Sequence, residues 1–476
     1  MDRFPATLEE CHKAIQVLLD TVTSLSKRFE TLELENQKLR LENAQLKERL
    51  NNNSDNSSLP PSKSLKKKKN NRISSGKKSG GQPGHKGRHR ELLPSKQVDK
   101  IEICKLDESC ICGGSIKLSS GYVRHQVHEL PELKLQVTEY QLQQGCCGDC
   151  HCKYVASLPE SVTWGITGPR LTGFMSELTA RYGLSRSEQR TFLKEMFSFS
   201  ISLGTIFKKQ KIVNAAMEFP VQELLPIVKE SKVVNSDETG HHRDGKNQWM
   251  WAFMSDKAAF FSIEASRGKK VLRSFLGDFK NIVISDRYAA YNIFESHRRQ
   301  ICWAHLKRDF TKLAEKENKI ISRIGKQLLE CESQLFKFWH QFKSNHLTPC
   351  ELQQQTRPIR KRVGELLEQG SYTDPLLRVS RFCKNLLEYF NALWTFLDVD
   401  GVEPTNNHAE RSLRPSVIWR KKYFCTRSDY GSEFVSRSAS IITTCKFNKK
   451  RSFEFLTTLM TNHFSGRQTS AQLILA

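Results

Sequence analysis

The 476-residue chain lacks an apolar run near the length of a membrane span, and its N-terminal segment lacks the basic-then-apolar pattern of a signal peptide. These absences argue against a membrane-spanning or exported protein, and we expect a cytoplasmic location. Acidic residues are also few, 51 against 75 Lys and Arg, so the formal net charge is +24. Such a basic chain predicts a polyanionic partner, and nucleic acid is favoured over a membrane surface.

Acidic residues are missing altogether between residues 62 and 90, where a run of four lysines occurs: Lys66, Lys67, Lys68 and Lys69. Residues 51–100 are also too poor in apolar side chains to form a core, which predicts a basic, disordered linker. Its charge suits non-specific contact with DNA phosphates. A soluble tether without a binding site of its own is the alternative interpretation.

The segment at 8–50 carries a heptad repeat. One core position holds Leu18, Leu25, Leu32, Leu39 and Leu46, and the other holds Ile15, Val22, Phe29, Asn36 and Asn43. Leucine at d with asparagine at some a positions favours a parallel dimeric coiled coil. The repeat therefore predicts self-association, and a single amphipathic helix packed on its own domain is the alternative.

Seven of the 14 cysteines are clustered between residues 104 and 152. In a reducing cytoplasm they are expected to be thiols or metal ligands rather than disulfides. Two pairs, Cys110 with Cys112 and Cys147 with Cys150, flank a predicted strand at 134–140, which suits a zinc-ribbon-like domain over 101–156 with tetrahedral Zn²⁺. Alternatives are substitute ligands, namely Cys104, Cys146 or Cys152, or reduced buried thiols.

The remaining chain alternates helix-like and strand-like patterns. Residues 157–230 predict short helices joined by glycine turns, either a helix-turn-helix-like DNA-binding region or ordinary packing helices. Residues 231–305 predict three strands, a helix and a fourth strand, the order of the ribonuclease H-like fold. We expect a multidomain α/β protein whose catalytic core is interrupted by a helical insertion at 306–400 and resumes over 401–447. Residues 448–476 predict no definite structure.

Three carboxylates stand at informative places in this core. Asp237 and Asp286 are predicted to end the first and fourth strands, and Glu410 lies near a predicted helix start. Together they could hold two Mg²⁺ (or Mn²⁺) ions for phosphoryl transfer, because hard divalent cations prefer carboxylate oxygen. Glu238 is a rival to its neighbour Asp237, and Asp286 could instead cap the next turn.

Four motifs carry a family resemblance: Asp-Glu-Thr at 237–239, Ser-Asp-Arg-Tyr at 285–288, Cys-Trp-Ala-His at 302–305 and Asn-Asn-His-Ala-Glu-Arg-Ser-Leu-Arg-Pro at 406–415. With the heptads, the linker and the cysteine pairs in matching order, the chain resembles transposases of the insertion-sequence-66 family. One departure is the single residue between Cys110 and Cys112, where the family usually has two.

The resemblance implies a DDE-type enzyme with Asp237, Asp286 and Glu410 as its acidic triad. It also implies binding of terminal inverted repeats, DNA cleavage, joining to target DNA, and a place at the bacterial nucleoid, with accessory proteins of the same element as possible partners. The rivals are a non-catalytic DNA-binding regulator derived from a transposase, and another ribonuclease H-like nuclease that cleaves without joining.

Other side chains near these motifs have more than one interpretation. Cys302 and His305 are expected to be structural or DNA-positioning residues rather than metal ligands. A basic helix beside Glu410 predicts contact with DNA phosphates, with a solvated surface as the alternative. Its predicted DNA-binding residues are Arg411, Arg414, Arg420, Lys421 and Lys422.

Overall fold

The structure is a computed structural model that describes residues 7–53, 56, 84–87, 90–106, 112–119, 121–160, 162–373 and 378–476. The lysine run at 66–69 and Cys110 therefore lie outside the described residues. The described part is a mixed α/β protein with a mixed sheet. Within these ranges no helix is both long and apolar enough to cross a membrane.

The heptad segment forms one long helix, α1 (Leu8–Asn51), of 44 residues. Its heptad leucines point into solvent, with exposed fractions between 51% and 65% for Leu18, Leu25, Leu32, Leu39 and Leu46. The alternative of a helix packed along its length on its own domain is not supported, because these side chains are not covered by the rest of the described chain.

The cysteine-rich segment contains a small antiparallel hairpin, β1 (Gln144–Cys146) and β2 (Lys153–Val155). Cys147 and Cys150 lie in its turn. The strand predicted at 134–140 is wrong, because these residues run without strand pairing. A single alternating stretch has no partner strand here, and a strand needs ladder hydrogen bonds to form.

Four helices lie between this hairpin and the main sheet: α2 (Pro169–Ala180), α3 (Arg186–Phe197), α4 (Leu203–Ala216) and α5 (Glu218–Lys229). The start of α3 is fixed by a capping box, in which Ser185 and Glu188 bond each other's backbone N–H groups. Met175, Leu193, Ile201 and Ile206 form a small core between these helices.

The main sheet has five strands: β3 (Val233–Arg243), β4 (Lys246–Met254), β5 (Ala259–Glu264), β6 (Ile282–Ser285) and β7 (Arg299–Ile301). Their order is β5-β4-β3-β6-β7. The pairs β3–β4 and β4–β5 are antiparallel, whereas β3–β6 and β6–β7 are parallel. Helix α6 (Lys269–Leu276) connects β5 to β6 and packs through Leu272 and Leu276.

The two faces of the sheet pack against different layers, since side chains alternate along each strand. On one face, Val234, Trp251 and Phe253 join a large core with α5 and α6. On the other, Met250 and Ala252 pack against Ala409 and Leu413 of α12 (Asn407–Tyr423). Helix α13 (Asp429–Phe447) lies beside β5, where Ser440 Oγ accepts the Phe261 N–H at 2.9 Å.

The expected helical insertion consists of α7 (Trp303–Ala314), α8 (Lys319–Lys343), α9 (Pro349–Ser371), α10 (Val379–Glu388) and α11 (Thr395–Asp398). Its core includes Ile284 and Ile301 of the sheet, so the helices are continuous with it. At the base of the insertion, the Trp303 N–H donates to the Pro404 carbonyl at 2.9 Å. The chain thus leaves and re-enters the core at one place.

The end of the chain is structured, although the sequence predicted no definite structure there. Helices α14 (Ser452–Phe464) and α15 (Gln472–Leu475) bury Leu459, Met460 and Ile474 in the large core. Helix α14 lies close against α2, because a Cβ on Gly173 would come within 3.1 Å of the Leu456 backbone. Helices α2–α5 and the last helices therefore form one packed body with the sheet.

Candidate active site

Asp237 lies within β3 rather than at its end. The sequence predicted that the strand would stop at Asp237, which is wrong, because pairing with β4 continues to Arg243. Asp237 is opposite Ala252, and its side chain therefore belongs to the sheet face covered by α12. Its Oδ1 accepts the Glu238 backbone N–H at 2.9 Å.

Asp286 follows the last residue of β6, which runs parallel to β3. The ladder pairs Asn235 with Ile284, and continuing this register by two residues brings Asp286 level with Asp237. Adjacent strands are about 4.8 Å apart, so the two aspartates lie side by side near the centre of the sheet. Asp286 Oδ1 also accepts the Tyr288 N–H at 2.9 Å, so it caps the following turn as well.

Arg299 stabilises the backbone that carries Asp286. This fully buried side chain donates from Nη2 to the Asp286 carbonyl at 2.7 Å and from Nε to Ser285 Oγ at 3.2 Å. Burial lowers the pKa of Arg299 to about 10, so its guanidinium remains charged at neutral pH. The sequence analysis did not identify this arginine, which lies on β7.

Glu410 lies in the first turn of α12, and Asn406 fixes where that helix starts. Asn406 is fully buried; its Nδ2 donates to the Ser236 carbonyl at 2.8 Å, and its Oδ1 accepts from Asn235 Nδ2 at 2.9 Å. The Asn406 N–H donates to Cys302 Sγ at 3.1 Å. These bonds attach the helix start to β3 and to α7. The asparagine pair before the predicted helix was the signal for this role, which the sequence analysis missed.

The three predicted carboxylates interact electrostatically. Burial raises the pKa of Asp237 well above its ordinary value, and the negative charges of Glu238, Asp286 and Glu410 raise it further. Asp286 and Glu410 therefore lie near enough to Asp237 for their charges to repel a negative charge on it. A divalent cation among them would relieve that repulsion, and carboxylate oxygens are the donors that Mg²⁺ prefers.

Glu238, the rival of Asp237, has its charge compensated within the protein. Its Oε1 accepts from Arg267 Nε at 2.7 Å, and its Oε2 accepts from the Tyr291 hydroxyl at 2.6 Å. Arg267 also lies 3.8 Å from the centre of the Tyr288 ring. Burial and the Asp286 charge raise the pKa of Glu238, whereas Tyr291 and Arg267 lower it. Glu238 therefore acts in an internal ion pair, which leaves Asp237 as the carboxylate available to a ligand.

Cys302, His305 and Glu410 form a second group at this site. Their ligand atoms all lie within 4.8 Å of one another. Among the described residues, these three side chains are the group that could together hold a metal ion. His305 Nδ1 is 3.4 Å from Glu410 Oε1, and Arg308 Nη2 is 3.9 Å from Glu410 Oε2. Burial raises the pKa of Cys302 to about 11. The sequence analysis did not predict that Glu410 would meet this pair.

The predicted DNA-contact residues of α12 divide into two kinds. Arg411, Arg414, Lys421 and Lys422 are exposed, whereas Arg420 is half-buried and donates to Thr239 Oγ1 at 3.1 Å. Lys422 also pairs with Glu188 at 3.1 Å. Arg420 therefore attaches the helix to β3, and the exposed side chains form a basic surface that begins beside Glu410.

The predicted zinc ligands are only partly within the described residues, since Cys110 is outside them. Cys147 lies in the β1–β2 turn, where the backbone N–H groups of Cys150 and Asp149 lower its pKa and so favour the thiolate. Cys112 is exposed. Within the ranges described, Cys112, Cys147 and Cys150 do not form a three-ligand group, so zinc ligation here stays a prediction.

Comparison with known proteins shows the family of the chain. The profile described as the Transposase IS66 family matches residues 165–433, more than half of the chain. The chain belongs to the IS66 transposase family. The matched region includes Asp237, Asp286 and Glu410. A second profile, described as a family of unknown function (DUF6444), matches residues 6–91.

Two related proteins come from Sinorhizobium fredii (strain NBRC 101917 / NGR234), and both are described as uncharacterized. Protein y4qI is 24% identical over 51% of this chain and 50% of its own length. Protein y4hP is 22% identical over 71% of this chain and 68% of its own length. This IS66-family chain thus spans about half the length of the first relative.

Proposed function

We propose that this IS66-family protein is a DDE-type transposase that cleaves DNA at the ends of an insertion sequence and joins them to target DNA. The observation that carries the proposal is geometric: Asp286 lies level with Asp237 beside β3, and Glu410 lies in the first turn of the helix that packs on the same face of the sheet. Carboxylates that two strands and one helix bring to one face of a sheet suit a hard divalent cation, because carboxylate oxygen is the ligand it prefers.

We further infer that the core is ribonuclease H-like. The support is the strand order β5-β4-β3-β6-β7 with two antiparallel and two parallel pairings. That arrangement puts the end of β6 beside the middle of β3, so that Asp286 lies level with Asp237. The helical insertion between α7 and α12 then lies outside the sheet.

The donor set fits two hard divalent cations. Asp237, Asp286 and Glu410 would hold these ions through their carboxylate oxygens. Mg²⁺ or Mn²⁺ in such a pair supplies charge stabilisation for the attacking and leaving oxygens of an in-line displacement. The protein's own part is to hold the three carboxylates in place: Asn406 fixes Glu410, and Arg299 fixes the backbone of Asp286.

DNA is the proposed substrate, and the exposed basic surface of α12 is its proposed path to the carboxylates. Arg411 and Arg414 follow Glu410 by one and four residues, so phosphate contacts there would bring the DNA backbone to the site. The lysines at 66–69 and the helices α2–α4 are further proposed contacts. Binding dominated by phosphate should weaken steeply with salt.

Self-association through α1 is part of the proposal. A 44-residue helix with exposed heptad leucines cannot bury them on its own chain as described, and a second copy of the same helix would cover them. Pairing two chains suits an enzyme that must bring two element ends together. Zinc at the cysteine knuckles and accessory proteins of the same element remain proposals on the family resemblance.

The test is a strand-transfer assay with labelled element-end DNA in Mg²⁺ buffer. We expect the wild-type chain to cleave and join, and Asp286→Asn and Glu410→Gln to do neither while still binding DNA. The matched control is Asp278→Asn, because Asp278 is an exposed carboxylate that pairs with Lys229 away from the site. Joining retained by Asp286→Asn or Glu410→Gln would refute the site assignment. If the wild-type chain cleaves DNA without joining it, the result would favour another ribonuclease H-like nuclease. If it binds DNA without cleaving it, the result would favour a non-catalytic regulator.

A further inference from the structure

Two polar atoms beside the candidate active site are buried without a hydrogen-bond partner: His305 Nδ1 and Glu410 Oε1. They face each other at 3.4 Å, which is longer than the usual 2.7–3.2 Å of an N–H···O bond. Their residues remain partly accessible, with side chains 19% and 28% exposed. A small ligand could therefore enter between them from solvent.

The spacing of these atoms matches two ligands of one tetrahedral cation. With bonds of about 2.0–2.1 Å, nitrogen and oxygen ligands of Zn²⁺ lie about 3.4 Å apart. A Cys sulfur at about 2.3 Å from the ion lies about 3.6 Å from either. Cys302 Sγ is already within 4.8 Å of both atoms, so side-chain movement of about 1 Å completes the geometry.

We propose that Cys302, His305 and Glu410 form a binding site for a thiophilic divalent cation, with Zn²⁺ as the model ion, and that this ion competes with Mg²⁺ for Glu410. The donor set decides the class of metal, since thiolate and imidazole select zinc-like ions and Mg²⁺ prefers oxygen ligands alone. Three protein ligands leave a fourth position for water or another oxygen.

The charges balance when the ion is bound. The S–H bond of Cys302 breaks, its proton goes to solvent, and the sulfur–metal bond forms. His305 binds as neutral imidazole and Glu410 as carboxylate. The two positive charges of the ion are therefore balanced by the Cys302 thiolate and the Glu410 carboxylate. The Asn406 N–H that now donates to Cys302 Sγ at 3.1 Å can continue to donate to the thiolate.

The competition part of this inference rests on the proposed function, because it assigns Glu410 to a catalytic ion. Glu410 Oε1 faces His305 in this structure, so a thiophilic ion would hold the carboxylate there and keep it from Asp237 and Asp286. Zinc would then inhibit a magnesium-supported reaction through one shared ligand. The binding part does not depend on any catalytic activity.

The first experiment measures bound zinc per chain by elemental analysis after dialysis of the full-length protein. We compare wild type with Cys302→Ser, His305→Ala and Cys445→Ser, the last being a control because Cys445 is a buried thiol outside the cluster. The cysteine-rich segment is unchanged in all four proteins. We expect Cys302→Ser and His305→Ala each to bind one equivalent less than wild type and Cys445→Ser.

Equal zinc content in wild type and Cys302→Ser would overturn the proposal, as would the same loss in Cys445→Ser. A Co²⁺-loaded sample adds a readout independent of stoichiometry, since a thiolate ligand gives a sulfur-to-metal charge-transfer band. We expect the wild-type minus Cys302→Ser difference spectrum to contain that band. Circular dichroism checks that each variant is folded.

The second experiment titrates Zn²⁺ into Mg²⁺-supported cleavage, each variant being normalised to its own zinc-free rate. We expect Cys302→Ser to need at least about tenfold more zinc than wild type for half inhibition. Superimposable inhibition curves would refute the competition. If no chain cleaves DNA in Mg²⁺, the proposed function fails, yet the zinc count still decides whether the site exists.

Discussion

Asp237 and Glu238 are neighbours on β3, but they lie on opposite faces of the sheet in opposite electrostatic surroundings. Glu238 meets Arg267 and Tyr291, so its charge is compensated inside the fold. Asp237 faces Asp286 and Glu410, and within the described residues it makes no ion pair. Glu238 is therefore a structural group, whereas Asp237 is the carboxylate that we propose to bind a cation. The predictions below test that contrast.

The largest effect is expected when Asp237 is changed to Asn. This removes the central carboxylate and should lower Mg²⁺-dependent DNA cleavage by at least about a thousandfold, because metal ions contribute several kcal/mol to such reactions. Single-turnover cleavage of labelled element-end DNA measures it. Asp278→Asn serves again as the control and should keep the wild-type rate. Comparable activity in Asp237→Asn and wild type would place the chemistry elsewhere.

On the opposite face, Arg267→Met should affect stability. It leaves the fully buried Glu238 carboxylate without its cation, and breaking a buried pair costs about 3–5 kcal/mol. Urea denaturation monitored by tryptophan fluorescence measures the loss. Arg273→Met is the matched control, since Arg273 is an exposed residue of the nearby helix α6. If the two variants unfold at the same urea concentration, the ion pair has no structural role.

Asn406→Ala should have a smaller effect on stability and a specific one on activity. It removes the buried bonds to Ser236 and Asn235, at a cost of about 1–3 kcal/mol for the groups left without partners. It also releases the start of α12, so cleavage should fall more than DNA binding. Asn407→Ala is the control, because only the backbone of Asn407 is engaged by Arg411. Equal cleavage by both variants would show that Asn406 does not position Glu410.

The smallest effect is a pH dependence of stability in the metal-free protein. Folding raises the pKa of Asp237, so the folded state holds its proton more tightly than the unfolded chain does. The stabilisation is therefore present at acidic pH and is lost as pH rises through the raised pKa. Asp237→Asn should be more stable than wild type at neutral pH in EDTA, and the two should converge on acidification. Thermal unfolding across pH measures this difference, and a pH-independent gap would contradict it.

Local patterns predicted many of these elements, because periodicity and apolar runs act within a few residues. The strands before Asp237 and Asp286, the connecting helix α6 and the helix at Glu410 all follow from such patterns. Local patterns did not predict where β3 ends. Its polar residues, His241 and His242 among them, remain in the strand because β4 pairs with them. Partner strands are not visible in a local window, which also explains the wrong strand at 134–140.

The parts of the site that the sequence did not predict depend on contacts between residues that are far apart in the sequence. Glu410 is separated in sequence from Cys302 and His305 by the helical insertion, and the path of that insertion decides whether they come together. Asn406 and Arg299 act through backbone groups of other strands, which no residue spacing encodes. Glu238 and Asp237 could not be told apart either, because the assignment needed Arg267 and Tyr291 on the opposite face.

The bond between the Trp303 N–H and the Pro404 carbonyl closes the neck of the helical insertion. The two ends of the insertion are held together by this bond. The length of the insertion therefore does not set the position of α12. Helices α8 to α10 could be shortened or extended, provided their own apolar faces stay covered, without displacing the carboxylate that follows the neck. The insertion can therefore change in length during evolution while Glu410 keeps its place beside the sheet.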